Sequence, residues 1–185
     1  MTVKSKKRGR PTGSVGNLSS ETIIDTAKAL MRQEGKVPSI RALAGSLTVD
    51  AMAIYHYFEN KNALLEAITT SLIDDIYQPT ASDDWENELS SLCKSYLELL
   101  EQYSGLLETL LSMKSHGPVE KFRERFLTVI EPLNLNQDKQ HNAESLLIDY
   151  LHGFALAMRC NQTGCALTPT FINGPLTLYC NALTA

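Results

Sequence analysis

Four residues of the kind that cap the N-terminus of a helix divide residues 18–76 into short segments. These residues, Ser19, Ser39, Asp50 and Asn60, have short polar side chains that can accept a hydrogen bond from a free backbone amide in the first helical turn. The spacing predicts four helices: from Ser19 to Gly35 with Ile23, Ala27, Leu30 and Met31 inward, from Ser39 to about Leu47, from Asp50 to about Phe58, and from about Asn60 to Ile76. A tight turn at Thr48-Val49 joins the second and third helices.

The rest of the chain continues the helical pattern after a linker at residues 79–84. Apolar spacing predicts helices over 85–100, 106–113 and 119–130, with breaks at Gly117-Pro118 and Pro132. Residues 134–142 are predicted to be a polar connector, followed by a helix over 146–158, a loop over 161–168 and an apolar run over 171–183 that Gly174-Pro175 interrupts. No strand pattern or repeat is found. The sequence therefore predicts an all-α fold.

Charge is distributed unevenly between the two ends of the chain. Residues 1–61 carry ten Lys or Arg and five Asp or Glu, a net charge of +5, whereas residues 62–185 carry seven and sixteen, a net charge of −9. The overall charge of −4 thus conceals a basic module on an acidic body. A basic module favours contact with phosphate groups.

The second and third helices have the plan of a helix-turn-helix, with the motif at about residues 39–58. Val49, Ile54 and Phe58 are predicted to face inward, which leaves the other face of the third helix for DNA. On that face Ala51 and Met52 suit thymine methyl groups, and hydroxyl or imidazole groups suit phosphate oxygens. The predicted DNA-binding residues are Ser39, Arg41, Ala51, Met52, Ala53, Tyr55, His56, Tyr57 and Lys61, together with Arg8 and Arg10 of the basic segment.

These residues also carry a family resemblance. The stretch Ser39-Ile-Arg-Ala-Leu-Ala, followed by Ala53-Ile-Tyr-His-Tyr-Phe-Glu-Asn-Lys61-Asn-Ala-Leu-Leu65, resembles the DNA-binding domain of TetR-type (tetracycline-repressor-like) regulators over roughly residues 18–70. The resemblance implies a homodimer that binds a palindromic DNA operator, usually as a repressor that a small-molecule effector releases. It assigns base contacts to Arg41, Ala51 and Met52, and phosphate contacts to Tyr55, His56 and Lys61. Thr48 stands where a turn glycine is common, and Ala53 where a phosphate-binding threonine is frequent.

Residues 1–17 are predicted to form a flexible basic arm. Its Arg8-Gly-Arg-Pro11 sequence is similar to arms that precede this domain in many TetR-type regulators, and such a segment can lie in a narrow A·T minor groove. The alternative is an unbound solubilising tail. The arm is followed by a DNA-binding domain at 18–76 and a helical ligand-binding and dimerisation domain at 77–185.

The last two apolar segments are predicted to pack with their symmetry mates as a four-helix bundle. The predicted dimer contacts are Leu147, Leu151, Ala155, Leu176, Tyr179 and Leu183. An effector pocket is predicted between residues 85–130 and 140–160, lined by Tyr96, Leu110, Met113, His116, Phe126, Tyr150, Phe154 and Met158. Apolar stripes of this kind are also typical of an ordinary core. In the tetracycline-repressor subgroup, a histidine shortly before a proline-containing turn binds a drug-bound metal. In this sequence Met113 stands near that place and His116 is displaced from it, so no such metal site is predicted.

Cys160 and Cys165 leave open a redox switch, or a metal site shared with His152 or His141. Three of the four cysteines lie in apolar sequence, however, which favours a role as small buried hydrophobes. An activator on the same fold is a further alternative. A helical enzyme or adaptor is the alternative from another class, but the sequence contains no paired carboxylates or phosphate-binding glycine loop. No cofactor and no membrane segment are predicted, and the expected location is the cytoplasm.

Overall fold

The structure is a computed structural model that describes residues 18–113, 117–161 and 167–185. Helices account for every regular element in these ranges, which confirms the all-α fold. They are α1 Ser20–Glu34, α2 Ile40–Ser46, α3 Ala51–Tyr55, α4 Lys61–Asp74, α5 Trp85–Gln102, α6 Leu106–Ser112, α7 Gly117–Ile130, α8 Gln137–Cys160 and α9 Asn173–Thr184. Short 3-10 turns at Glu131–Leu133 and Pro169–Ile172 follow α7 and precede α9.

All four predicted N-caps are confirmed. The side chains of Ser19, Ser39, Asp50 and Asn60 each accept a hydrogen bond from a backbone amide two or three residues ahead, at 2.9–3.2 Å. Each bond satisfies one of the amides that a helix leaves unpaired at its start. The caps thus set where each helix begins, and α2 and α3 are held on either side of the predicted turn.

Two predicted helix boundaries near the DNA-binding region were wrong. α3 ends at Tyr55 and not near Phe58, because the amides of Tyr57 and Phe58 both turn back to the carbonyl of Ile54. Phe58 is nevertheless buried, as predicted for its inward side chain. α4 ends at Asp74, and Ile76 is buried just beyond it.

Three boundaries in the second half also differ from prediction. α8 begins at Gln137 inside the predicted connector, because Asn136 caps it through the amide of Lys139 at 2.8 Å, and its polar first turn is largely exposed. α7 is a separate helix from α6, as predicted, but it begins at Gly117, two residues before the predicted start at Val119. Gly174-Pro175 lies in the first turn of α9, where a proline removes no helical hydrogen bond.

The core is continuous from the helix-turn-helix to the last helix. Ile23, Ile54, Leu72 and Leu97 are among its fully buried side chains. α4 packs against both α1 and α7, and α5 packs against α7, α8 and α9. α4 therefore joins the helix-turn-helix to the larger helical body that α5 organises.

Candidate functional site

The helix-turn-helix presents a polar and apolar face to solvent. Ile54 is fully buried and anchors α3, whereas Met52 is 64% exposed. Arg41, His56 and Lys61 are also exposed, and Tyr55 and Tyr57 are about two-fifths exposed. These exposed side chains belong to α2, α3, the turn after α3 and the start of α4, and solvent-exposed side chains on a helix-turn-helix are available to contact DNA.

The remaining predicted DNA-binding residues differ from this exposed group. Ala51 and Ala53 are half-buried, and Ala51 packs against the core. Ser39 is exposed, but its hydroxyl accepts the Ala42 amide at 3.1 Å and caps α2. Arg8 and Arg10 lie outside the described residues.

The turn between α2 and α3 has an unusual backbone. Thr48 adopts φ of +56°, in the left-handed region where glycine is favoured and a β-branched residue is strained. Its amide donates to the carbonyl of Gly45 at 3.1 Å, and the amide of Val49 donates to the carbonyl of Ala44 at 3.0 Å. These bonds hold the two helices of the motif in register.

Aromatic side chains of α5, α7 and α8 lie close together where the effector pocket was predicted. Tyr96 is buried and its hydroxyl forms a 2.9 Å hydrogen bond with Nε2 of His152. The ring centroids of Tyr96 and Phe122 are 5.0 Å apart, and those of Tyr150 and Phe154 are 5.9 Å apart. Burial raises the pKa of the Tyr96 phenol and lowers the pKa of His152, which favours a neutral pair.

The other predicted pocket residues have varied surroundings. Phe126 is fully buried in the core, Leu110 and Met158 are half-buried, and His116 lies outside the described residues. Met113 is half-buried at the end of α6, and its Sδ accepts a 3.5 Å hydrogen bond from the hydroxyl of Thr69 on α4. Met113 thus connects the end of α6 to α4, the helix that supports the helix-turn-helix.

A groove of about 530 Å³ lies elsewhere, where α1 and the end of α4 meet α5. Its lining is mostly polar and includes Arg32, Asp75, Glu98 and Glu101. None of the predicted effector-binding residues lines it. Small-molecule sites are usually concave and mostly apolar, so the polar lining of this groove is not typical of a site for an apolar organic effector.

The six predicted dimer residues lie on the inner faces of α8 and α9. Leu147, Leu151, Ala155, Leu176 and Leu183 are buried within the single chain. The hydroxyl of Tyr179 donates to the carbonyl of Ala143 on α8 at 2.8 Å. These side chains already pack against the chain's own core, and their contact with a partner subunit stays a prediction.

The outer faces of the same helices are apolar and exposed. Leu146 and Leu156 on α8 are 63% and 48% exposed, and Leu178 on α9 is 72% exposed. Phe171, just before α9, is also exposed, and Gly153 and Ala157 are small residues on the exposed side of α8. We call this set the outer face of α8 and α9.

The described cysteines do not form a sensing cluster. Cys93 and Cys180 are buried, and burial raises the pKa of Cys180 to about 11 and that of Cys93 further. Cys160 is exposed, and Cys165 lies outside the described residues. Within the described ranges, no three His, Cys, Asp or Glu residues are grouped so as to hold a metal ion.

None of the described helices has both the length and the apolar character needed to cross a bilayer.

Comparison with known proteins gives two family matches. The model of bacterial regulatory proteins of the tetR family matches residues 23–68, and that of the tetracyclin repressor-like C-terminal domain matches residues 78–166. The tetracycline repressor protein class A from transposon 1721 of Escherichia coli is 32% identical over 90 residues, which cover 46% of this chain and 42% of that protein. The class D repressor of Escherichia coli is 28% identical over 93 residues, with 48% and 43% covered. The chain thus matches a little over two-fifths of the length of each repressor.

Solved structures share the fold over almost the whole chain. BioQ of Mycobacterium smegmatis superposes with a TM-score of 0.74 at 19% identity and covers 90% of this chain and 98% of its own. BioQ crystallised with its double-stranded DNA operator gives 0.72 at 18% identity, with 91% and 99% covered. ActR of Streptomyces coelicolor in complex with (S)-DNPA gives 0.69 at 16% identity, with 91% and 98% covered.

Proposed function

Because the chain belongs to the tetR family of bacterial regulatory proteins, we propose that it is a homodimeric repressor that a small-molecule effector releases from a palindromic DNA operator. The observation that carries the proposal is the capped helix-turn-helix, which leaves Arg41, Met52, Tyr55, His56 and Lys61 exposed to solvent. A BioQ structure holds an operator, and an ActR structure holds a small molecule. The proposal assigns no catalytic activity to the chain and places it in the cytoplasm, where a bacterial operator is found.

The DNA contacts divide into two kinds. Arg41 and Met52 read base edges, with Ala51 beside them, because a guanidinium can bind guanine and an apolar side chain can contact a thymine methyl group. Tyr55, His56 and Lys61 contact phosphates, and Lys61 does so at the start of α4, where the helix dipole favours an anion. Arg8 and Arg10 of the arm contact the minor groove.

The dimer forms through the outer face of α8 and α9. A monomer that exposes Leu146, Leu156, Phe171 and Leu178 has an apolar patch of the kind that marks an interface. The small residues Gly153 and Ala157 permit close approach of the partner helix. A two-fold axis beside these helices would place two helix-turn-helix motifs on one duplex, which is why the operator is expected to be palindromic.

The effector binds beside the Tyr96–His152 pair. A polar pair among aromatic rings can orient a ligand that carries a hydrogen-bonding group on an apolar body. Met113, one of the predicted effector-binding residues, contacts Thr69 of α4. An effector that displaces Met113 would therefore act directly on the helix that supports the DNA-binding face.

The proposal is tested by selecting duplexes from a random-sequence pool with the purified protein, followed by gel-shift titration at several salt concentrations. A palindromic consensus should emerge. Arg41→Ala should relax preference at one base pair at a cost of about 1–3 kcal/mol, whereas Lys61→Ala should weaken all duplexes alike and reduce the salt slope by about one. Failure to enrich any sequence over the starting pool, at any salt concentration, would refute the proposal.

A further inference from the structure

The hydroxyl of Tyr57, a predicted phosphate contact, already forms a hydrogen bond within the protein. Tyr57 follows α3 by two residues, and its hydroxyl donates a 2.6 Å hydrogen bond to the backbone carbonyl of Leu18, thirty-nine positions earlier in the chain. Leu18 is the residue at which the basic arm of residues 1–17 joins the domain. The bond therefore ties the origin of the arm to the end of the helix that faces DNA.

The chemistry of this bond limits what else Tyr57 can do. A tyrosine hydroxyl has one proton, and a phosphate oxygen at neutral pH accepts hydrogen bonds. While Tyr57 donates to Leu18, it has no proton left for a phosphate. Tyr55 differs, because its hydroxyl has no hydrogen-bond partner among the described residues and is free to donate to DNA.

The other contacts of this junction fix its geometry. Leu18 packs against the core with a half-buried side chain. The next residue, Ser19, donates its amide to the Thr22 hydroxyl at 2.8 Å and accepts the Thr22 amide at 3.2 Å. With the start of α1 held on one side and Tyr57 bonded on the other, the carbonyl of Leu18 has a defined direction.

The basic arm has enough positive charge and length to contact DNA from a fixed starting point at Leu18. It contains five Lys or Arg residues and no acidic residue. Arg10 lies eight residues before Leu18, so an extended chain can carry it about 26 Å from the domain, less than the roughly 34 Å of one duplex turn. A tethered group gains effective concentration when its tether starts at the right place.

We propose that Tyr57 is a positioning residue for the arm: its bond to Leu18 starts the arm beside α3, so that Arg8 and Arg10 meet the minor groove next to the sequence read by the helix-turn-helix. This inference rests on the proposed function. It replaces the predicted phosphate contact of Tyr57 with an indirect role. It also implies that Tyr57 contributes to the choice of flanking sequence, because a narrow A·T minor groove attracts arginine.

The test is a double-mutant cycle in DNA binding between Tyr57→Phe and deletion of residues 2–17. The probes are two duplexes with the same selected operator core, one flanked by A·T pairs and the other by G·C pairs, with affinity measured by fluorescence anisotropy. In the full chain, Tyr57→Phe should weaken binding to the A·T-flanked duplex about two- to tenfold and reduce discrimination between the flanks. In the arm-deleted chain, the same substitution should change neither quantity.

Tyr55→Phe is the matched control, since it should weaken the full and arm-deleted chains by the same factor. Thermal unfolding of each variant confirms that it is folded at the assay temperature. Equal effects of Tyr57→Phe with and without the arm would show a direct DNA contact and overturn the inference, as would no effect in the full chain or no loss on deleting the arm. These results leave the proposed function standing if the wild-type chain binds its selected duplex, whereas absence of any specific complex refutes the function itself.

Discussion

Replacing Arg125 by methionine should lower the free energy of unfolding by about 2–4 kcal/mol. The buried guanidinium of Arg125 on α7 donates to the carbonyls of Ile73, Asp74 and Ile76 at the end of α4, at 2.6, 3.0 and 3.0 Å. The Ile73 carbonyl also accepts the amide of Ile76, and water can reach Asp74, which is exposed. The carbonyl of buried Ile76 would lose its partner, at a cost of about 1–3 kcal/mol, and the other two bonds would add about 1 kcal/mol. Methionine fills much of the same volume, so the cavity contribution should be small.

Urea unfolding followed by circular dichroism measures this change, at a fixed protein concentration because the proposed dimerisation would contribute to stability. Lys121→Met is the matched control on the same helix. Its exposed ammonium lies 3.8 Å from the Asp74 carboxylate, and the loss of such a surface pair should cost less than about 0.5 kcal/mol. If Arg125→Met is as stable as Lys121→Met, the guanidinium does not hold the end of α4 and the reasoning fails.

Four further substitutions or conditions have defined outcomes. Thr48→Gly should stabilise the protein by about 0.5–1 kcal/mol in urea unfolding, because it relieves the φ of +56° at some cost in chain entropy. Gly105→Ala should destabilise it by about 1–3 kcal/mol in the same assay, because the added Cβ would lie 3.0 Å from the backbone of the turn at Gly35. Leu178→Glu should leave the fold intact by circular dichroism but shift sedimentation from dimer to monomer. The free energy of unfolding should fall as the pH drops below about 6.5. Burial lowers the pKa of His152, so below that pH the unfolded chain binds the proton more readily than the folded chain, whereas above it the stability is fully retained. His152→Gln should flatten the dependence of the unfolding free energy on pH.

Local signals determined most of what the sequence predicted correctly. A cap depends on a side chain and an amide two or three residues apart, so Ser39, Asp50 and Asn60 could be assigned without knowledge of the tertiary structure. The end of α3 could not, because it depends on how Phe58 enters a core built by distant residues. The start of α8 was missed for a related reason: its first turn is polar, and only the cap at Asn136 indicates it.

The direction of apolar helix faces was not available from the sequence. α8 has apolar residues on two sides, with Leu147 and Leu151 inward and Leu146 and Leu156 outward. Helical spacing identifies both stripes but does not say which one packs inside the chain and which one is left for a partner. Arg125 is the opposite case, since a charged residue within the stripe of Phe122, Phe126 and Val129 was a visible signal that a buried acceptor must lie opposite it.

The contacts between the two domains imply that the DNA-binding unit moves as one piece. Arg125 holds the end of α4, while at the end of α1 the guanidinium of Arg32 donates to the Tyr103 hydroxyl at 2.8 Å and lies 5.4 Å from the centre of its ring. Lys28 joins the two helices through the Asp75 carboxylate at 2.7 Å and the Ser71 carbonyl at 3.1 Å.

A shift of α5 or α7 therefore reaches α1 and α4 together, and these helices are tied too closely to slide independently. In the proposed repressor, we expect such a shift to rotate the helix-turn-helix as a whole. In a dimer, such a rotation changes the distance between the two copies of α3, and the half-sites of an operator fix that distance at about one duplex turn. The proposed release from DNA would then need no change within the DNA-binding face itself, which is consistent with the caps at the starts of α2, α3 and α4.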